Sequence, residues 1–255
     1  MRGIVAAAVV IALVATSATG VTAAAPSDSQ IKGHGDGQMK ADVQRQLARL
    51  DPGASRLSVE VRDGVVMLSG TVGSLWLKEE AVKRALKVSG VQSLAADLTI
   101  AKAENDSALL RAVGDAVRRY DRYSVYDNIE GRVGKGAVRL EGAVTEPKKA
   151  EDIVERVAKV RGVQAIDNRI VVLPASQTDD RLRVAIATAI YRDEAFVNYS
   201  MVDPPVHVIV NNGHVTLTGF VRSQIERIKA ESVARMTFGV LALDNKVQLV
   251  GPAGQ

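Results

Sequence analysis

The sequence predicts an α+β protein of three tandem αββαβ modules, each a small three-stranded sheet covered by two helices. Three observations carry this prediction. First, the stretch "RDGVVMLSGTV" (residues 62–72) returns as "GKGAVRLEGAV" (134–144) and "NNGHVTLTGFV" (211–221). Gly64, Gly136 and Gly213 correspond, as do Gly70, Gly142 and Gly219, with a repeat length of 72 and then 77 residues. A Gly-Val pair follows 20 residues after each glycine of the second set, at Gly90-Val91, Gly162-Val163 and Gly239-Val240. Second, the residues around the first glycine alternate apolar and polar, as half-buried strands do. Third, helical apolar spacing both precedes and follows each alternating stretch.

Each module opens on a helix, with apolar residues at Val43, Leu47 and Leu50, at Leu109, Val113 and Val117, and at Leu182, Ile186 and Ile190. Two strands follow. In "LSVEVRDGVVMLSG" and "VHVIVNNGHVTLTG" the strands flank Asp63-Gly64 and Asn212-Gly213, pairs that tolerate the positive φ of a two-residue hairpin turn. Counting outward from the turn places Leu57, Val59, Val61, Val66 and Leu68 on one face, and Val206, Val208, Val210, Val215 and Leu217 on its equivalent. That face is the expected core. A second helix is predicted over 74–88, 146–160 and 223–237, with inward pairs Ala81/Ala85, Ile153/Val157 and Ala230/Ala234 four residues apart. A last strand closes each unit, "VQSLAADLTI", "VQAIDNRIVV" and "VLALDNKVQL". The modules are placed at 37–101, 105–173 and 177–250. Short polar joints, "AKAEN" and "LPASQT", are expected to allow some relative motion.

The chain begins with Arg2, an apolar run over 4–14 and small residues ending in Ala23, Ala24 and Ala25, the pattern of a signal peptide over 1–25. An uncleaved N-terminal anchor is the competing reading. Residues 26–36 read as a flexible leader. The mature chain is expected to be periplasmic and soluble, since no later segment is long and apolar enough to span a bilayer. With no cysteine there is no thiol chemistry, no disulfide and no acceptor for a lipid anchor. Charge is weakly basic, 33 Lys and Arg against 29 Asp and Glu, far short of a nucleic-acid footprint.

The pattern V-x-V-x-x-G-x-V-x-L-[ST]-G, then a helix with alanines four apart, then G-V and a closing strand with D-N, resembles the BON domain. The match is tightest at "VEVRDGVVMLSGTV…GVQSLAADLTI" and "VHVIVNNGHVTLTGFV…GVLALDNKVQL". The second module departs from it, with Gly131 at a core strand position and Glu141 where Ser69 and Thr218 stand. Tandem modules behind a signal peptide resemble the osmotically inducible periplasmic proteins of this family. The resemblance implies a role in osmotic or envelope stress, with binding to phospholipid or membrane surfaces.

"GRVGKG" (131–136) lacks the Lys-Ser/Thr ending of a phosphate loop and leads into a strand, so its glycines read as a hairpin. Gly70, Gly142 and Gly219 read as bends at a strand end, where a Cβ has no room. His207 and His214 fall on the outward face of the last hairpin, in rows about 13 Å apart, so they cannot share a metal ion and read as surface residues. No residue set supports catalysis, a metal, a cofactor or a small-molecule substrate.

Two clusters distinguish the copies. "RRYDRYSVYDN" sets Tyr120, Tyr123 and Tyr126 among Arg118, Arg119 and Arg122; Tyr191 and Tyr199 occupy the matching region of module three. Such a mixture suits an anionic headgroup layer or a protein partner; alternatively Tyr120 caps the core and the arginines favour a helix C-terminus. In "SLWLKEE", Leu75 and the sole tryptophan, Trp76, read either as an exposed anchor or as intermodule packing. The leading expectation is a non-enzymatic protein that binds anionic phospholipid or envelope components. The alternatives are a protein-binding or chaperone-like module and a secretion-apparatus ring component.

Overall fold

The computed structural model describes residues 35–50 and 57–250, so the expected signal peptide, most of the expected leader and His34 lie outside the described residues. Module one comprises α1 (Asp36–Leu50), β1 (Ser58–Arg62), β2 (Val65–Val72), α2 (Leu75–Leu86) and β3 (Ser93–Ile100). Module two repeats the order as α3 (Asp106–Arg118), β4 (Asn128–Gly134), β5 (Ala137–Val144), α4 (Pro147–Ala158) and β6 (Ala165–Val172). Module three contains α5 (Gln177–Arg192), a short 3-10 turn (Glu194–Phe196), β7 (Val206–Asn211), β8 (His214–Val221), α6 (Gln224–Met236), β9 (Ala242–Asn245) and β10 (Gln248–Leu249). The predicted αββαβ order holds in all three, except that the last closing strand is split where Lys246 and Val247 leave the ladder.

In each sheet the second hairpin strand is central, antiparallel to the first and parallel to the closing strand. The first strand is therefore an edge. The three hairpins turn through Asp63-Gly64, Lys135-Gly136 and Asn212-Gly213, every one of these residues at φ between 50° and 78°. Positive φ at both turn positions is the two-residue geometry that matches strand twist. Gly142 and Gly219 lie inside strands rather than at their ends. A Cβ there would collide with the Asn128 or Pro205 carbonyl oxygen, so these glycines admit close approach of the edge strand.

The faces form as the alternation predicts. Val59, Val66 and Leu68 pack with Val43, Leu47, Ala81 and Ala85 in module one, and the equivalent residues build separate cores in modules two and three. Ser74, Asn105, Ser176 and Ser223 cap the N-termini of α2, α3, α5 and α6 through their side chains.

One device recurs that hydrophobic patterning does not reveal. Asp36 accepts hydrogen bonds from the N–H groups of Asp63 and Gly64 at 2.9 and 3.2 Å. Asp106 does the same for Lys135 and Gly136, and Asp179 for Asn212 and Gly213. A carboxylate in the first turn of each opening helix thus clamps the hairpin behind it. Asp36 consequently belongs to α1, and the leader ends earlier than the sequence suggests.

The joints are also held. Ala101 N–H donates to Val72 O and Leu173 N–H to Val144 O, while Ala103 packs on the core of module two and Leu173 is buried. The expectation of loose connections gives way because apolar residues inside these short joints are themselves covered.

Candidate functional site: the module junctions and the uncovered surfaces

Trp76 packs against its own core and stands over the second module, with the Lys159 ammonium 4.9 Å from its ring centroid. Leu75 reaches the core of module two. The junction is sealed by Gly162 N–H donating to Gly73 O at 3.1 Å and by the Gln164 amide donating to Ile100 O and Ala101 O. Of the two readings of "SLWLKEE", the structure gives intermodule packing.

The tyrosine cluster resolves in the same direction. Tyr120 is buried and donates to Asp152 at 2.9 Å, with the Arg156 guanidinium over its ring. Burial, reinforced by Asp152, raises the Tyr120 hydroxyl pKa. The Tyr123 hydroxyl accepts the Ile129 N–H, and burial pushes its pKa up to about 12. Tyr126 packs against the core of module three. Tyr191 both donates to Val206 O and accepts from Val206 N–H, and Tyr199 donates to Glu226. Arg118, Arg119 and Arg122 remain exposed, Arg118 paired with Asp115 and Arg122 with Glu146. Tyr120 caps the core of its own module, and Tyr191 and Tyr199 are held within module three, whereas Tyr126 packs on the next module and Tyr123 faces His207 there, which no single-module pattern discloses.

That loop, residues 119–127, is the junction between modules two and three. Val125 is buried in the core of module three, and its carbonyl accepts the Val208 N–H at 2.8 Å. Val125 is thus a plug laid along the edge strand β7. The loop is shaped by a buried charge network. Asp127, fully buried, accepts from Lys149 Nζ at 2.7 Å, from the N–H and hydroxyl of Ser124, and from the N–H and hydroxyl of Thr145. A buried ion pair with every neighbour hydrogen-bonded fixes one geometry. The sequence offered a clue in Lys149, which stands where Leu77 stands in module one.

His207 needs correction. It lies half-buried with its ring 5.5 Å from that of Tyr123, not on open surface. Its pKa is lowered by burial, partly opposed by the carbonyls of Ser124 and Asp127 and the carboxylates of Asp127 and Asp203. His214 is exposed as expected.

The uncovered surfaces lie elsewhere. At and just beyond the end of α6, Met236, Phe238 and Leu241 are exposed, Phe238 completely, and Ile225 and Ile228 are exposed earlier on α6. The corresponding residues are Lys159, Arg161 and Gln164 in module two and Lys87, Ser89 and Gln92 in module one. Hydrophobic patterning missed this patch because it seeks inward positions; aligning the copies exposes it. Among the described residues no group of three or more His, Cys, Asp or Glu could hold a metal ion, and no helix is long and apolar enough to cross a membrane.

Three αββαβ units joined by packed junctions define a tandem-repeat α+β protein. The family model described as BON domain matches residues 35–102, 105–174 and 178–251, and the chain belongs to this family. Such domains are generally non-catalytic, and proteins built from them are typically periplasmic or envelope-associated. No curated protein matches. Among solved structures, the chain is similar to CdsD, a structural protein of the type III secretion system of Chlamydia trachomatis, at 16% identity over 82% of this chain and 92% of that one, with a TM-score of 0.24. It is also similar to the PrgH periplasmic domain, at 12% identity over 77% of this chain and 96% of that one, with a TM-score of 0.21. Similarities this distant carry no inference about activity or assembly.

Proposed function

We propose that the protein is a non-enzymatic periplasmic protein that attaches to anionic phospholipid surfaces of the cell envelope. The observation that supports this reading is the exposed apolar rim of module three, Met236, Phe238 and Leu241, where the sister modules carry lysine, arginine, serine or glutamine. A fully exposed phenylalanine at a turn can enter the headgroup and acyl boundary without unfolding anything. The osmotic-stress setting rests on the family resemblance. Attachment through one small rim is weak and reversible.

The test is co-sedimentation of the mature protein with phosphatidylglycerol vesicles at low salt. The wild type is expected to pellet, and Phe238→Asp with Met236→Asp to stay in the supernatant with unchanged circular dichroism. A wild type that fails to pellet removes the reading. Trp76 fluorescence should remain constant on binding, because its ring is held at the junction of modules one and two.

A further inference from the structure

The junction of modules one and two uses one face of each, and both faces recur elsewhere in the chain. On module two the receiving face is the turn after α4, "KVRGVQ" (159–164). Lys159 lies over Trp76, Gly162 N–H donates to Gly73 O, and the Gln164 amide donates to Ile100 O and Ala101 O. Module one carries the same turn after α2, "KVSGVQ" (87–92), whereas module three has "MTFGVL" (236–241). All three turns share a backbone. Gly90, Gly162 and Gly239 stand at φ 89°, 94° and 98°, and the N–H groups of Gln92, Gln164 and Leu241 donate to Gly64 O, Gly136 O and Gly213 O, each at 2.9 Å. Positive φ accounts for the glycine, but module three builds the turn without the lysine or the glutamine, so the fold does not require them. In module two they hold a neighbour. In module one Lys87, Gly90 and Gln92 are exposed, and among the described residues no hydrogen bond engages Gly90 N–H or the Gln92 amide.

The inserting face recurs on module three. By register with the central strand and by the shared serine caps Ser74 and Ser223, Ile225 stands for Trp76, Leu249 and Val250 for Ile100 and Ala101, and Arg222 for Gly73. Val250 N–H donates to Val221 O as Ala101 N–H does to Val72 O, both at 2.8 Å, so the chain leaves the sheet in the same way. Ile225, Leu249 and Val250 are exposed. Modules two and three meet through the 119–127 loop, which makes no use of this face.

We propose that module three of one copy docks on module one of a second copy, repeating between chains the junction that joins modules one and two. Ile225 then lies against Leu86, exposed at the end of α2, as Trp76 shares a cavity wall with the equivalent Ala158 of α4. The stem of Lys87 covers it. Gly90 N–H and the Gln92 amide take the carbonyls of Arg222, Leu249 and Val250. Gln224 stands for Leu75, so no side chain enters the neighbour's core and the contact is weaker than the internal junction. Because the two faces are unlike, each copy binds one neighbour at either end, closing a ring or extending a filament. The Met236 and Phe238 rim of the membrane reading takes no part in this contact.

Sedimentation equilibrium of the mature chain without lipid, at concentrations up to about 1 mM, tests this. The average mass is expected to rise with concentration above that of a monomer. Leu86→Glu spoils only the receiving face and Ile225→Glu only the inserting face; both residues are exposed, so circular dichroism should not change. Each variant alone should associate on the order of tenfold more weakly or worse, while their equimolar mixture should form dimers and nothing larger, through the one intact face of each. Gln92→Ala removes only the amide and should weaken association about tenfold, whatever glutamate does to folding at the other two sites. Met236→Asp with Phe238→Asp should associate as the wild type does. A wild type that stays monomeric overturns the proposal. So does a mixture no more associated than its parts, an association constant unchanged by Gln92→Ala, or loss of association in the rim variant, which would place the contact at Phe238.

Discussion

Asp127 and Lys149 are the residues whose removal should be felt most. Their pair is buried and closed by Ser124 and Thr145, so the desolvation cost of both charges is met only while both are present. Asp127→Ala leaves a buried ammonium with the Thr145 hydroxyl but no counter-charge and should destabilise module two by about 3–5 kcal/mol. Asp127→Ala combined with Lys149→Met should recover much of that loss, since no charge is then stranded. Urea unfolding of the two variants checks this, and equal instability of both would refute the account. Asp127 does not announce itself in the sequence, and Lys149 does so only by standing where module one has Leu77. The tyrosines around them do, but the polar partners that assign those rings to structure come from segments up to 32 residues away, as with Tyr120 and Asp152.

The element that joins modules two and three is the 119–127 loop, and its contact with β7 should depend on pH. Tyr123, the Ser124 and Asp127 carbonyls and the Asp127 and Asp203 carboxylates surround His207. Burial lowers the folded pKa below the ordinary value of 6.5 despite these acidic neighbours. The unfolded chain therefore takes up the proton first, and stability present above pH 6.5 is lost as pH falls toward the folded value. Thermal unfolding between pH 7.5 and about 5 should show this decline, and His207→Phe should flatten it. A slope unchanged in His207→Phe would show that other groups govern it. Strand alternation correctly placed His207 on the outward face of its hairpin. Outward from one module proved to be inward between two.

Across the whole molecule, stability is expected to pass from one module to the next rather than reside in each alone, because Leu75 and Val125 each lie in a neighbour's core. Leu75→Asp should open the first junction while preserving helix content. Trp76 emission would shift to the red and the radius of gyration would rise in solution scattering; an unchanged emission maximum would show that the junction does not depend on Leu75. The sequence by itself determined the number of modules, their element order, the hairpin turns and the inward faces. These follow from short-range rules, namely the periods of strand and helix and the positive φ that the turn residues tolerate. Tertiary structure decided which outward residues are truly outward. Tyr123, Trp76 and His207 became junction residues, while Phe238 and Ile225 emerged as uncovered positions. The reason is physical: a local pattern records which face of an element avoids water, but a face turned away from its own core is solvated or buried according to what a distant segment lays against it.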